Sequence, residues 1–119
     1  MNDLVDVYFE AWNETDAGVR CELLSRCLAD GAELHDPTGS VRGVAGVSER
    51  IGAFQESAPG TTVVRSTGVD AHNGFARYGW DIVGGDGAVA LAGIDVAEHD
   101  ADGRLRRVVM FFGPLPPTE

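Results

Sequence analysis

The chain contains no lysine; all nine of its basic residues are arginine, set against nineteen acidic ones. Without a lysine amine there is no Schiff-base chemistry and no covalent anchor for pyridoxal phosphate. The net charge of −10 has the wrong sign for holding nucleic acid, where affinity comes from cations that displace phosphate counterions. Cysteine is scarce. Cys21 and Cys27 fall in what reads as one helix, about 9 Å apart along its axis, too far for a disulfide, so both are expected as buried, reduced thiols. No run approaches the ~18 apolar residues of a membrane span. The opening Met1-Asn2-Asp3 has no basic leader segment, and the expected location is the cytoplasm, with no membrane partner. His35, His72 and His99 sit in no metal-binding spacing, and there is no G-x-S-x-G elbow. Neither a metal nor another cofactor is expected.

What is present suits one domain over 1–119. Apolar residues make up 44% of the 119, enough for a core without disulfide or metal staples. Leu4, Val5, Tyr8, Phe9 and Trp12 recur at i, i+3/i+4 and predict an amphipathic helix over about residues 3–13. Thr15 or Asp16 can cap a second helix whose apolar face is Val19, Leu23, Leu24, Cys27 and Leu28, ended by Asp30-Gly31. A short strand Ala32–Asp36, a loop over Thr38–Gly43 and a third helix from about Val44 to Ser57 follow. The period then changes to two. Strands are expected at Thr62–Asp70, Phe75–Val83, Val89–Glu98 and Leu105–Phe112, joined by Asn73-Gly74, Asp86-Gly87 and Asp102-Gly103, each a hairpin dipeptide.

The expected fold is therefore α+β: three helices packed on a strongly curved antiparallel sheet that forms a cone-shaped pocket. Ala76, Tyr78, Trp80 and Ile82 share the inward face of their strand. The next strand is apolar on both faces, so both must be covered; helices cover one, and a second copy is expected on the other, making a homodimer. Trp12, Phe54, Tyr78, Trp80, Met110 and Phe112 are the expected apolar lining of the pocket.

Asp95 stands out between Ile94 and Val96 in a strand that is otherwise apolar from Val89 to Ala97. A buried, unpaired carboxyl raises its pKa and stays protonated, which makes it a hydrogen-bond donor. The alternative is a structural aspartate bonded to backbone or to Arg65 or Arg77. Asp36 ends a strand before Pro37, either at a pocket mouth or simply as an Asx turn. Tyr8 lies on the apolar face of the first helix, where a core tyrosine is ordinary. Arg104, Arg106 and Arg107 read as a solvated strand edge.

The segment Leu28-Ala29-Asp30-Gly31-Ala32-Glu33-Leu34-His35-Asp36-Pro37-Thr38-Gly39-Ser40 resembles the stretch of bacterial Δ5-3-ketosteroid isomerases that carries the general-base aspartate before a proline. Tyr8-Phe9-Glu10-Ala11-Trp12-Asn13 is similar to their helix with the oxyanion tyrosine, Gly93-Ile94-Asp95 to the strand with their protonated aspartate, and Phe111-Phe112-Gly113 to their last strand. With the order of elements, the chain resembles the NTF2-like (cystatin-like) superfamily and its SnoaL-like proteins over nearly its whole length. The resemblance implies a cofactor-independent, acid–base site for a small apolar carbonyl compound. Asp36 would be the base, and Tyr8 and neutral Asp95 the oxyanion donors, as in the ketosteroid isomerase logic that is itself a standard worked case. Tyr78 is the only other tyrosine and Trp80 narrows the inner face, which points to a ligand smaller than a steroid. A non-catalytic binding protein, a polyketide cyclase and an epoxide hydrolase are the alternatives; the last would recruit Arg65 or Arg77 into an Asp–Arg–Asp cluster.

Overall fold

Period-3.6 apolar spacing and local caps set the helices. In the computed structural model, which describes residues 2–118, α1 spans Asn2–Asn13 and buries Val5, Tyr8, Phe9 and Trp12. The two ends of the expected domain, Met1 and Glu119, lie outside the described residues. Helix α2 (Ala17–Cys27) starts at Asp16, whose carboxylate accepts from the Val19 amide at 2.9 Å, satisfying one of the free amides of the first turn. It stops at Cys27, three residues before the expected Asp30-Gly31. Leu28–Asp36 is strand β1 instead, and Gly31, at φ +68°, sits in a bulge where the register of β1 shifts, the kind of kink glycine permits. The buried face of α2 is also rotated from expectation. Arg20, Leu24 and Cys27 are buried and Val19 is exposed. Cys21 is half-buried, so only Cys27 is a core thiol, and burial pushes Cys27 up to about 12.

The Thr38–Gly43 segment, expected as a loop, forms strand β2 (Gly39–Arg42), which folds back on β1 in an antiparallel hairpin through Pro37-Thr38. Helix α3 (Gly43–Ser57) follows. The expected strand Thr62–Asp70 is two, β3 (Thr62–Arg65) and β4 (Asp70–His72), both pairing with β5 (Phe75–Val83). The interruption occurs where Ser66 and Thr67 lean over Gly79, whose carbonyl accepts from the Ser66 amide and whose amide donates to the Thr67 hydroxyl. Asn73 and Gly74, both at positive φ, make the tight β4–β5 turn.

With β6 (Val89–His99) and β7 (Leu105–Phe112), the sheet order is β2-β1-β7-β6-β5-β3. The expectation of an antiparallel sheet is corrected at one pairing: β1 runs parallel to β7, so the sheet is mixed. That pairing makes β7 an interior strand. Arg106 and Arg107 therefore lie not on an edge but across neighbouring strands, where both bind Glu98 and Arg107 also reaches Glu33. The true edge at β3 is covered by α1, where the Asn13 side chain accepts from the Val63 amide and donates to its carbonyl, both at 2.8 Å, like a one-residue strand partner. Among the described residues no helix is long and apolar enough to cross a membrane.

Candidate active site

Cross-strand rows on the inner sheet face lay out the site. Trp80, Gly93 and Phe112 are partners across β5, β6 and β7. A Cβ on Gly93 would come within 2.2 Å of the Trp80 indole. Only glycine lets that ring lie across β6, where it meets Phe112 edge to face at 5.6 Å between centroids. The next inward-facing row is Tyr78, Asp95 and Met110. Helices α1 and α3 close the other side, with Trp12 against Phe54 at 5.6 Å. Between them lies a largely apolar cavity of about 240 Å³.

Tyr8, Asp36 and Asp95 all line this cavity, and so do five of the six residues expected as its apolar lining. The exception is Tyr78, whose ring packs into the core against Phe9 at 5.5 Å.

The floor is polar but unpaired. Asp95 is 2% exposed. One of its carboxyl oxygens, the hydroxyls of Tyr8 and Tyr78 and the indole N–H of Trp80 are all buried and make no hydrogen bond within the described chain. Burial pushes the Asp95 carboxyl up to about 7, against the opposing pull of the Tyr78 hydroxyl and Trp80 N–H beside it. Burial, then the neighbouring Asp95, raises both tyrosines above the usual phenol range, so both remain protonated donors. Neither arginine offered as a structural partner of Asp95 reaches it. Arg65 binds Asp6 and the Thr67 carbonyl, and Arg77 binds Asp70 in solvent.

The mouth is the reverse. Asp36 accepts from the Thr38 amide at 2.8 Å and the Thr38 hydroxyl at 2.6 Å, and pairs with the guanidinium of Arg50, which also donates to Thr38. Partial burial acts to raise this carboxyl, but Thr38 and Arg50 together hold it below the ordinary range. The Asx turn and the pocket-mouth position, alternatives in the sequence, are thus the same structure. Sequence reasoning missed Arg50. Its signal is spacing: three residues after Val47 and four before Phe54, it falls on the stripe of α3 that faces the sheet. Arg20 was missed likewise. It lies four residues before Leu24 and ties α2 to Ser48, Gln55 and the Glu14 carbonyl. Among the described residues no three His, Cys, Asp or Glu side chains gather as a metal site.

One apolar cavity thus holds a carboxylate kept ionised and a carboxyl that titrates near neutrality, beside a tyrosine donor. That set can take a proton at one end and stabilise negative charge on oxygen at the other.

Residues 5–108 match the model of the SnoaL-like domain. Among solved structures, one from Agrobacterium tumefaciens, provisionally named an isomerase of the SnoaL-like family, is similar at TM-score 0.87 and 29% identity over 94% of this chain and 96% of its own. A cystatin-like protein of unknown function from Methylobium petroleophilum matches at TM-score 0.76 and 22% identity, over 99% and 78% of the two chains. A provisionally named polyketide cyclase from Sinorhizobium meliloti matches at 0.68 and 19%, over 92% and 94%; these last two likenesses concern the fold. No curated protein sequence matches the chain.

Proposed function

We propose that this chain, which belongs to the SnoaL-like domain family, is a cofactor-independent acid–base enzyme resembling the ketosteroid isomerases. Asp36 takes a proton from the carbon α to a carbonyl, and the electron pair of that C–H bond moves onto the carbonyl oxygen. Tyr8 and neutral Asp95 donate hydrogen bonds to the resulting oxyanion in a site shielded from water, where such donors act most strongly. Asp36 then returns the proton at the γ carbon, leaving the conjugated ketone and a regenerated carboxylate.

The observation that carries this reading is that Tyr8, Asp36 and Asp95 line one cavity, with the Tyr8 hydroxyl and an Asp95 oxygen buried and unpaired. The name of the Agrobacterium relative supports the reaction class. A volume of about 240 Å³ lies below the ~300 Å³ of pockets for drug-sized ligands, which supports a small carbonyl compound. The test is conversion of a small β,γ-unsaturated cyclic ketone to its conjugated isomer, followed by ultraviolet absorbance. Asp36→Asn and Asp95→Ala are expected to abolish or cripple it. Rates unchanged from the native chain in both variants would overturn the mechanism, and tight binding without turnover would assign the cavity to a binding protein. The Asp36–Arg50 pair favours one second reading, opening of an epoxide by water held at that pair, which the diol product would reveal.

The enzyme acts in the cytoplasm as a homodimer through its outer sheet face. Ile94 and Phe111, cross-strand partners there, are 48% and 56% exposed, and a patch of this kind is a usual subunit contact. Sedimentation equilibrium of the native chain and Phe111→Glu tests the assembly: dimer in the first, monomer in the second.

A further inference from the structure

Arg50 is the one cation that lines the cavity among the described residues. A base that works by ionisation needs no guanidinium, and here the pairing weakens it as a proton acceptor. Only one nitrogen of Arg50, Nη2, is engaged, by Asp36 and Thr38; Nε and Nη1 make no hydrogen bond among the described residues. The side chain is 32% exposed, while the Asp36 side chain is 5% exposed, so of the pair the arginine is the more open to a molecule at the mouth. Beside it, Arg50 and Asp36 also line a second hollow of about 110 Å³, with Thr38, Gly39 and Ser40 of the β1–β2 hairpin. In a chain of net charge −10, a half-engaged arginine at the mouth of an apolar cavity has the geometry of an anion anchor. Its free Nε–H and Nη1–H groups can each donate a charge-assisted hydrogen bond to an anion.

We infer that the substrate is a small unsaturated ketone bearing a carboxylate, seated with its carbonyl on the Tyr8–Asp95 floor and its carboxylate on the unengaged N–H groups of Arg50. The carbonyl half of this statement rests on the proposed function; the carboxylate half stands on Arg50 alone. Arg50 is then a specificity-determining residue. It has a second effect on the reaction. A substrate carboxylate shares the guanidinium with Asp36 and adds negative charge beside it, and both changes make Asp36 a stronger base once the correct substrate is bound. A neutral ketone leaves Asp36 clamped by its arginine.

Binding tests this without turnover, because Trp12 and Trp80, the chain's two tryptophans, both line the cavity and report occupancy by fluorescence. Three probes are compared: 3-(4-hydroxyphenyl)propanoate, its neutral amide, and 3-phenylpropanoate, which has no phenol. The native chain is expected to bind the hydroxyphenyl acid at least about tenfold more tightly than the amide, the scale of one charge-assisted contact. Arg50→Gln should erase that preference, and Arg50→Lys should keep part of it, with circular dichroism confirming that each is folded. Equal binding of acid and amide, an acid preference that survives Arg50→Gln, or no binding of either acid at millimolar concentration would overturn the inference. The phenol separates the two proposals. If both acids bind alike yet depend on Arg50, the anion site stands and the oxyanion floor fails; if the phenol tightens binding while the carboxylate does nothing, the floor stands and the anion site fails.

Discussion

The two ends of the cavity treat the same functional group in opposite ways. At the mouth, Asp36 is held by two bonds from Thr38 and an ion pair with Arg50, and stays below the usual carboxylate range. At the floor, Asp95 has among the described residues one oxygen without a partner, and burial takes it up to about 7. The two carboxyls differ because of what the fold puts around them, and the proposed base and donor roles require that difference.

The sharpest way to break the contrast is to remove the ionised end. Asp36→Asn keeps the shape and the Thr38 contact but has no basicity, so enone isomerisation is expected to fall by about 10³-fold, within the range of a lost general base, and the lost ion pair to lower the melting temperature. The neutral end breaks differently. Between its ordinary value of 3.8 and about 7, the unfolded chain has lost the Asp95 proton and the folded chain retains it. The folded state therefore binds more protons, and stability falls as pH rises through that window. Asp95→Asn removes this cost. Denaturant melts should find the variant gaining on the native chain from about pH 4 to 7, by up to roughly 4 kcal/mol at the top; a constant difference would show that Asp95 is ionised throughout. Isomerisation by the native chain should also decline above about pH 7 as Asp95 ionises, while its acid limb, set by Asp36, lies below the usual carboxylate range.

Smaller effects separate the site from its frame. Gly93→Ala forces the Trp80 indole off β6 and should cost about 1–3 kcal/mol, the scale of overpacking, with loss of ligand binding. Asn13→Ala releases the edge strand β3 from α1 and should cost about 1–2 kcal/mol while leaving both carboxyls and the pH profile as they are. A shift of the profile in Asn13→Ala would mean that the contrast depends on the whole scaffold rather than on near neighbours.

Local chemistry made much of this legible in the sequence. Asn73-Gly74, Asp86-Gly87 and Asp102-Gly103 place the turns, and the strands Phe75–Val83 and Leu105–Phe112 have the bounds that period-two spacing gives them. Asp95 is recognisable as a lone acid in an apolar strand. The parallel pairing of β1 with β7 joins residues some seventy positions apart, such as Leu34 and Val108, and no local preference encodes it. The early stop of α2 was hidden because Asp30-Gly31 suits a helix end as well as a strand bulge. The Asp36–Arg50 pair spans β1 and α3, so Asp36 is legible as a strand-end acid but its partner is not until the helix is docked.

Asp95 is expected to keep its proton up to about pH 7, while Asp36 is ionised from below the usual carboxylate range. A carboxyl ¹³C NMR titration of aspartate-labelled protein, repeated on Asp95→Asn and Asp36→Asn, tests this most directly. One aspartate signal is expected with its midpoint near 7, absent from Asp95→Asn, and another below the usual aspartate range, absent from Asp36→Asn. Aspartate signals that all titrate in the ordinary range, about 3 to 5, would contradict it.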